Sequence, residues 1–537
     1  MSQKNLQLHR LSDSTLLTGL ILFRALNACL VQTYFSPDEY WQALEVGHKI
    51  AFGSGYLTWE WDVGLRSVLH PVLFAALYKT LAVLGLDDGP LIMYAPRLLQ
   101  SIFAAIADFY AYRFADRLFQ NQVTANWTLF LSIASWWNFF CSTRTLANSM
   151  EAALTIVALY YWPFATFSAE STIHSFGLSL MLAFLTCIFR PTAAIIWVFL
   201  GVSLLIGYIK KKDWSSVFTT MVNVIMIGGT AMLASAILDS TLLYHQWILT
   251  PLNFLRVNVL EGISLFYGSS PWHWYLSQGL PLLFGIYVPF VAVGSWRAWI
   301  ATTGHNASLK RQVLGLSLWT LVIYSSLQHK EWRFLYPILY PLLPFAADTL
   351  YRLSQSAHGW RRSKPTVAII IALVTVNVIM AWYTTLVHQR GVIDVMEWIR
   401  QEAKSQQIGQ IGFIMPCHST PWQNSVHRQS SGPLNMWFIT CDPPLGNADI
   451  TNYKDESDVF YADPVTFMNE RIPKLCKGKM DENTHLVLFE DLVNSWPGIL
   501  SWLQIHGYHE CARFFNSHFH DDSRRRGDVL VYCRVFK

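Results

Sequence analysis

Ser36-Pro37-Asp38-Glu39-Tyr40-Trp41-Gln42 follows directly on an apolar segment, Thr15 to Tyr34. Two adjacent carboxylates at the end of a segment long enough to cross a bilayer are costly unless water or a partner receives them. Pro37 keeps a helix from running through them and fixes the local backbone. A run of aromatic, acidic and glycine residues comes next: Glu45, His48, Gly53, Gly55, Tyr56, Trp59, Glu60 and Trp61. The pattern reads as a spanning helix that ends in a surface site, with Asp38 as a catalytic base. The plainer reading is a solvated boundary pair, and the rest of the chain has to decide between the two.

Outward from this stretch the apolar pattern recurs. Of 537 residues, 53% are hydrophobic and 14% charged, against about a quarter charged in soluble domains. Apolar segments of about 17 residues or more, each able to span a bilayer, continue as far as Tyr383. The chain therefore reads as a polytopic α-helical membrane protein. A net charge of +4 without a basic arm gives no argument for nucleic acid. Met1 to Ser14 is polar and carries Lys4, His9 and Arg10. That flank places the N-terminus in the cytosol and the first helix as retained, not cleaved.

Positive charge then sets the alternation. Arg113–Arg117, Lys210-Lys211-Lys212, Lys310-Arg311 and Arg361-Arg362-Ser363-Lys364 read as cytosolic loops. The polar motifs of interest lie at the opposite helix ends. The alternation holds if Ser67 to Leu86, which carries His70-Pro71 and Lys79, does not cross but lies along the lumenal surface or re-enters. About 11 crossings result, near 15–34, 91–116, 123–142, 148–166, 172–189, 192–209, 215–238, 276–299, 312–328, 333–354 and 366–386. One further crossing would strand some motifs on opposite sides. The expected membrane domain is 1–386, with a first lumenal loop at 35–90 and an aromatic lumenal loop at 239–275. The sequons at Asn126 and Asn306 fall in a helix and in a cytosolic loop, so neither is expected to be glycosylated.

After Tyr383 the composition changes. Val392 to Ala403 reads as an amphipathic helix, and Ile411–Met415, His485–Phe489 and Val529–Tyr532 as short strands. Residues 387–537 are expected to form a small α/β lumenal domain. Five of the eight cysteines lie there: Cys417, Cys441, Cys476, Cys511 and Cys533. This suits an oxidising compartment, with one or two disulfides and a cysteine left over. Spacing does not fix the connectivity; Cys417–Cys441 is the pairing expected first.

Four further constellations carry chemistry. Arg144, Asn148 and Glu151 share one helical face, as part of a site or as an interhelical polar brace. Arg190, in Phe189-Arg190-Pro191-Thr192, either snorkels to the interface or meets a phosphate, and alone favours the former. Tyr267-Gly268-Ser269-Ser270-Pro271-Trp272-His273-Trp274-Tyr275 is aromatic and turn-rich; it suits a sugar-binding loop or an interfacial belt. Gln328-His329-Lys330-Glu331-Trp332-Arg333 packs four ionisable groups and an aromatic into a helix junction. His329, Lys330 and Arg333 can meet a phosphate, with Glu331 orienting Lys330 or Arg333. A carboxylate, a basic cluster and an aromatic loop on one membrane face are what transfer from a lipid-phosphate sugar donor requires. No metal-binding motif is present, and an isolated Asp38-Glu39 pair is weak evidence for a divalent ion. A transporter or lipid scramblase is the rival of another class. It would place charges near mid-bilayer, where Asp108 is the main example.

Asp38-Glu39 after the first helix and His329-Lys330-Glu331 late in the chain resemble the family 22 mannosyltransferases of the endoplasmic reticulum, which have the GT-C fold and use dolichyl-phosphate-mannose. The resemblance covers essentially the whole chain. Ser36 to Gln42, Gly55 to Trp61, Tyr267 to Tyr275 and Met415-Pro416-Cys417-His418-Ser419-Thr420-Pro421 are most similar to the branch that adds the third mannose of the glycosylphosphatidylinositol anchor. Tyr40 and Trp332 depart from the family pattern, where His and Phe or Glu would be expected. The resemblance implies inverting α1,2-mannose transfer onto the second mannose of that glycolipid. Asp38 would be the general base and Glu39 its neighbour or the base itself. His329, Lys330 and Arg333 would meet the dolichyl phosphate, with Glu331, Arg144 and Arg190 in support. Tyr267, Trp272, His273, Trp274 and Tyr275 would form a substrate loop, and Glu45, His48, Trp59 and Glu60 are acceptor candidates without assigned roles. No cofactor or metal is expected. The partners would be the two lipid substrates and the membrane, and the active site would face the lumen. The enzyme rival is a sibling that extends the dolichol-linked N-glycan precursor.

Overall fold

Each apolar segment expected to cross contains a helix in the computed structural model, which describes residues 12–164, 173–301, 303–304, 306–356, 364–405, 408–428, 432–445, 452–475 and 484–534. The basic loop at 361–363, most of the N-terminal flank and Cys476 lie outside the described residues. Among the described residues, six helical stretches are long and apolar enough to cross a membrane: Asp13–Leu30, Leu91–Phe119, Pro191–Lys210, Trp214–Tyr244, Tyr275–Ile300 and Val367–Lys404. The other segments give shorter or more polar helices. Tyr336–Ser356, for example, contains Pro341 and Pro344.

Two segments read as single crossings are broken. The segment 123–142 divides at Ser135, which is extended and caps Trp136–Cys141 by accepting the Asn138 N–H at 3.3 Å. Serine competes for backbone donors, and here it restarts the helix. The segment 276–299 opens as short turns and divides at Gly285, where φ is +51° and a Cβ would lie 3.3 Å from Trp136 Nε1. Further along, a Cβ on Gly294 would collide with the Phe345 carbonyl oxygen. The missing side chain lets Val288–Ile300 pack closely on Tyr336–Ser356.

Mid-bundle, Arg24 donates Nε to Asp108 Oδ2 at 2.6 Å and Nη2 to Oδ1 at 3.0 Å, and both side chains are fully buried. Ser132 Oγ adds a third bond to the carboxylate at 2.6 Å. Asp108 is thus a satisfied interhelical tie between Asp13–Leu30 and Leu91–Phe119. Arg24→Leu is expected to cost about 3 kcal/mol by leaving this carboxylate buried and unpaired. Thermal unfolding in detergent checks it, with Arg24→Leu/Asp108→Leu together costing less than either alone.

One end of the bundle gathers basic groups. Arg113 pairs with Asp13 at 2.8 Å, Arg117 donates to the carbonyls of Tyr160 and Trp162, and Lys310 sits over the Phe119 ring. Asn306 donates to the Arg117 carbonyl at that same end.

The opposite end carries the first loop and the C-terminal residues. Leu69–Val83 has 15 residues and is shorter than the helices counted as long enough to cross. Its Phe74, Ala75, Tyr78 and Leu81 share a core with Val392, Val395, Met396 and Ile399 of the amphipathic helix Gly391–Lys404. A five-stranded sheet follows, ordered β2-β1-β3-β5-β4. Its strands are β1 (Gln410–Ile414), β2 (Asn435–Phe438), β3 (Thr484–Phe489), β4 (His509–Ser517) and β5 (Gly527–Arg534). β1 runs parallel to both β2 and β3, and β5 antiparallel to β3 and β4. The three strands read from the sequence are the central ones. β2 and β4 are edges: β4 exposes most of its length and shows no apolar run, and β2 is only four residues long.

Cys417 pairs with Cys441 as expected, and Cys511 with Cys533. The first bridge lies where the C-terminal residues meet the first loop. Trp41 donates Nε1 to the Thr420 carbonyl at 2.9 Å, and its ring packs against His418, Trp422 and Phe438. Glu45 accepts the backbone N–H of Tyr56 at 3.0 Å and of Asn424 at 2.9 Å. His48 is buried between the Ser54 carbonyl and His427. Glu45 and His48, considered as acceptor contacts, are therefore spent on docking. Burial pushes the Glu45 carboxyl up to about 7 in spite of those donors.

Candidate active site

Pro37 stands at the first position of a short helical turn, Pro37–Glu39, that runs on through Tyr40–Leu44 into Glu45–Phe52. Successive residues of a helical turn point about 100° apart, so the two carboxylates cannot face the same way. Glu39 turns inward and is completely buried. It takes Arg97 Nε at 2.9 Å on one oxygen and Arg144 Nη1 at 2.8 Å on the other. Thr145 Oγ1 donates to its carbonyl. Arg97 also reaches the Val31 carbonyl, and Arg144 the Thr33 carbonyl and hydroxyl. Glu39 and Arg144, read as base or support, are in fact the buried clamp that fixes the loop at the end of the first helix. Neither has a face on the cleft.

Asp38 is 19% exposed and binds Arg333 Nη2 through Oδ2 at 2.8 Å. Arg333 extends a fork to Glu331, Nε to Oε2 at 2.6 Å and Nη2 to Oε1 at 2.9 Å, and its Nη1 reaches Ser36 Oγ at 2.8 Å. The two motifs, 297 residues apart, thus meet. Burial pushes the Glu331 carboxyl up, but Arg333 and His329 outweigh it and hold the group well below the usual carboxylate range. His329 Nε2 lies 3.3 Å from Glu331 Oε1. Lys330 donates to the carbonyls of Ser270 (2.9 Å) and Leu327 and, among the described residues, has no carboxylate partner. Arg333, grouped with the phosphate ligands by sequence, is committed to two carboxylates. Lys330 is the cation of this loop with charge to spare.

The remaining residues divide. Arg190 pairs with Glu151 at 3.1 Å, donates to Asn148 Oδ1 at 2.9 Å and lies over the Phe334 ring. Asn148 also donates to the Arg333 carbonyl. Asn148, Glu151 and Arg190 are thus a brace under the site. In the aromatic loop, Tyr275 is fully buried and bonds the Glu331 backbone through its hydroxyl, so it supports that loop and has no face for substrate. Trp274 stacks on Trp332, Tyr267 accepts Trp59 Nε1 at 2.7 Å, and Trp272 and His273 point outward.

Asp38 opens on its other side into a cleft lined by Gln42, Trp61, Arg66, Ser67, His70 and Phe189. Glu60 organises part of this wall, accepting from Gln42, Thr58 and Arg66 at 2.8–2.9 Å. Asp239 accepts from Ser67 Oγ and from the Val68 N–H and so anchors the turn before Leu69–Val83. Arg66 and Asp239 were not among the residues singled out by sequence. Asp239 is a lone charge at the end of an apolar helix, and Arg66 follows two acids, Glu60 and Asp62, without a motif; in each the partner alone shows its use.

A family model described as the Alg9-like mannosyltransferase family matches residues 15–427. GPI mannosyltransferase 3 of Yarrowia lipolytica is 37% identical over 96% of this chain and 96% of its own length. GPI alpha-1,2-mannosyltransferase 3 of Homo sapiens is 38% identical over 97% and 87%. Among solved structures, ArnT from Cupriavidus metallidurans bound to undecaprenyl phosphate aligns with a TM-score of 0.58 at 13% identity, covering 97% of this chain and 98% of that one. The Archaeoglobus fulgidus oligosaccharyltransferase aligns with a TM-score of 0.51 at 12% identity, covering 96% and 76%. The structural likenesses concern the fold alone, that of the GT-C membrane glycosyltransferases. With a family model spanning most of its length and full-length relatives well above 30% identity, the chain belongs to the Alg9-like mannosyltransferase family.

Proposed function

We propose that this multi-pass membrane enzyme transfers mannose from dolichyl-phosphate-mannose, in α1,2 linkage, onto the second mannose of the glycosylphosphatidylinositol anchor precursor. Relatives named for that lipid, two of them also for that linkage, matched over most of their length, support the acceptor. The observation that carries the mechanism is the division of labour between neighbours: Glu39 is sealed between two arginines, and Asp38 faces the cleft. Asp38, oriented by Arg333, takes the proton from the acceptor 2-hydroxyl. That oxygen bonds to the donor C1 from the face opposite the phosphate, and the C1–O bond breaks with inversion. Dolichyl phosphate leaves with the electron pair, Lys330 neutralises its charge and His329 donates a hydrogen bond to it.

Transfer requires no metal in this reading. Asp38 and Glu39 are neutralised by arginines, an environment that repels a cation. Cys417, His418 and Cys441, a cluster of metal-ligand type, have their sulfurs joined in a disulfide. Activity is therefore expected to survive chelators; loss restored by Mn²⁺ or Mg²⁺ would refute this. Lys330→Ala is expected to raise the donor KM about tenfold with the acceptor KM unchanged.

We place the active site and residues 387–537 in the lumen of the endoplasmic reticulum and the N-terminus in the cytosol. Two disulfides at the Asp38 end suit an oxidising compartment, and basic groups collect at the other. The test is transfer by the purified protein from dolichyl-phosphate-mannose to two acceptors in parallel. One is the two-mannose glycosylphosphatidylinositol precursor, the other the dolichol-linked N-glycan precursor. Transfer to the first alone is expected; transfer to the second alone would reassign the acceptor. Transfer to neither by folded protein would reopen the transporter reading.

A further inference from the structure

Two residues that line the cleft beside Asp38 carry buried polar atoms without partners. Trp61, 2% exposed, and His70, 4% exposed, both line it, and neither Trp61 Nε1 nor His70 Nε2 has a hydrogen-bond partner. A buried donor or acceptor left unsatisfied costs about 1–3 kcal/mol. Natural structures rarely leave such groups unpaired without a reason. Here two belong to residues of one small cleft wall, next to the carboxylate read as the base. Gln42 and Arg66, on the same wall, are already held by Glu60 at 2.9 Å each.

The charge of the wall says what kind of group it takes. Arg66 is matched by Glu60. Burial and the nearby Arg66 charge lower the His70 pKa to about 4, so the ring is neutral at neutral pH. The spare cation, Lys330, belongs to the loop that contacts Ser270. A wall without net charge is unsuited to a phosphate and suited to hydroxyls. The indole N–H can only donate, and a neutral imidazole nitrogen donates or accepts by tautomer. A hexose hydroxyl supplies both complements. The partly exposed Phe189 ring adds apolar surface of the kind sugar C–H faces need.

We propose that this cleft is the subsite for the acceptor hexose, with Trp61 Nε1 and His70 Nε2 hydrogen-bonding hydroxyls of the sugar whose neighbouring hydroxyl Asp38 deprotonates. Both would be substrate-specificity residues. The inference rests on the mannosyltransferase reading of the site and deepens it.

Steady-state transfer by the full-length protein tests it, using dolichyl-phosphate-mannose and the two-mannose glycosylphosphatidylinositol precursor. Transfer by the unaltered protein must be seen first; its absence would count against the functional reading, not the subsite. Trp61→Phe and His70→Phe each keep a ring and remove the hydrogen-bonding nitrogen. Each is expected to raise the acceptor KM about tenfold and to leave the donor KM within about twofold. His70→Gln, which restores a polar tip, is expected to recover most of the loss. Thermal unfolding in detergent identifies a variant that fails to fold, and the other two then decide. An unchanged acceptor KM in the folded variants, or equal rises for donor and acceptor, would overturn the proposal.

Discussion

Asp38→Asn is expected to lower mannose transfer by about 10²–10⁴-fold, the usual contribution of a positioned base, while the protein stays folded and inserted. The substitution keeps size and an oxygen that can accept from Arg333, and it removes the proton acceptor. Its structural cost is small because Arg333 retains both oxygens of Glu331 and the Ser36 hydroxyl. No guanidinium is left buried without a carboxylate. The measurement is the single-turnover rate with both lipid substrates saturating, beside thermal unfolding of the same preparation. An unaltered rate would remove Asp38 as the base. A lost rate with a collapsed unfolding temperature would make its role structural.

The helices were legible in the sequence because hydropathy is a local property; each expected crossing contains one. The breaks at Ser135 and Gly285 were not, since one polar or achiral residue in an apolar run gives no periodicity change. The site was half legible. Dense ionisable residues at helix ends marked Asp38-Glu39 and His329 to Arg333, and the structure brings them together. Their roles could not be separated from sequence, because the deciding partners are distant. Arg97 and Arg144 lie 58 and 105 residues beyond Glu39. The same distance hid Arg24, the partner that makes Asp108 structural. Tyr275 and Trp272 belong to one aromatic run, and nothing local shows that one is buried and the other exposed.

Glu39→Gln should give the opposite phenotype to its neighbour. The carboxylate sits between two guanidiniums whose side chains are 10% and 0% exposed. Removing its charge leaves two buried cations facing one neutral amide. Breaking a buried pair costs about 3–5 kcal/mol, a large part of a typical total of about 5–15. The expected result is a poor yield and a sharply lowered unfolding temperature, with the surviving folded fraction still transferring mannose. Adding Arg144→Met should restore part of the stability, because one uncompensated charge goes with it and the two sites are in direct contact. An Arg144→Met change alone should in turn be milder than Glu39→Gln, since Arg97 still neutralises the carboxylate. Two adjacent acids would then be distinguished by what fails first, the chemistry at Asp38 and the fold at Glu39. That order follows from the turn at Pro37, which can aim only one of them at the cleft.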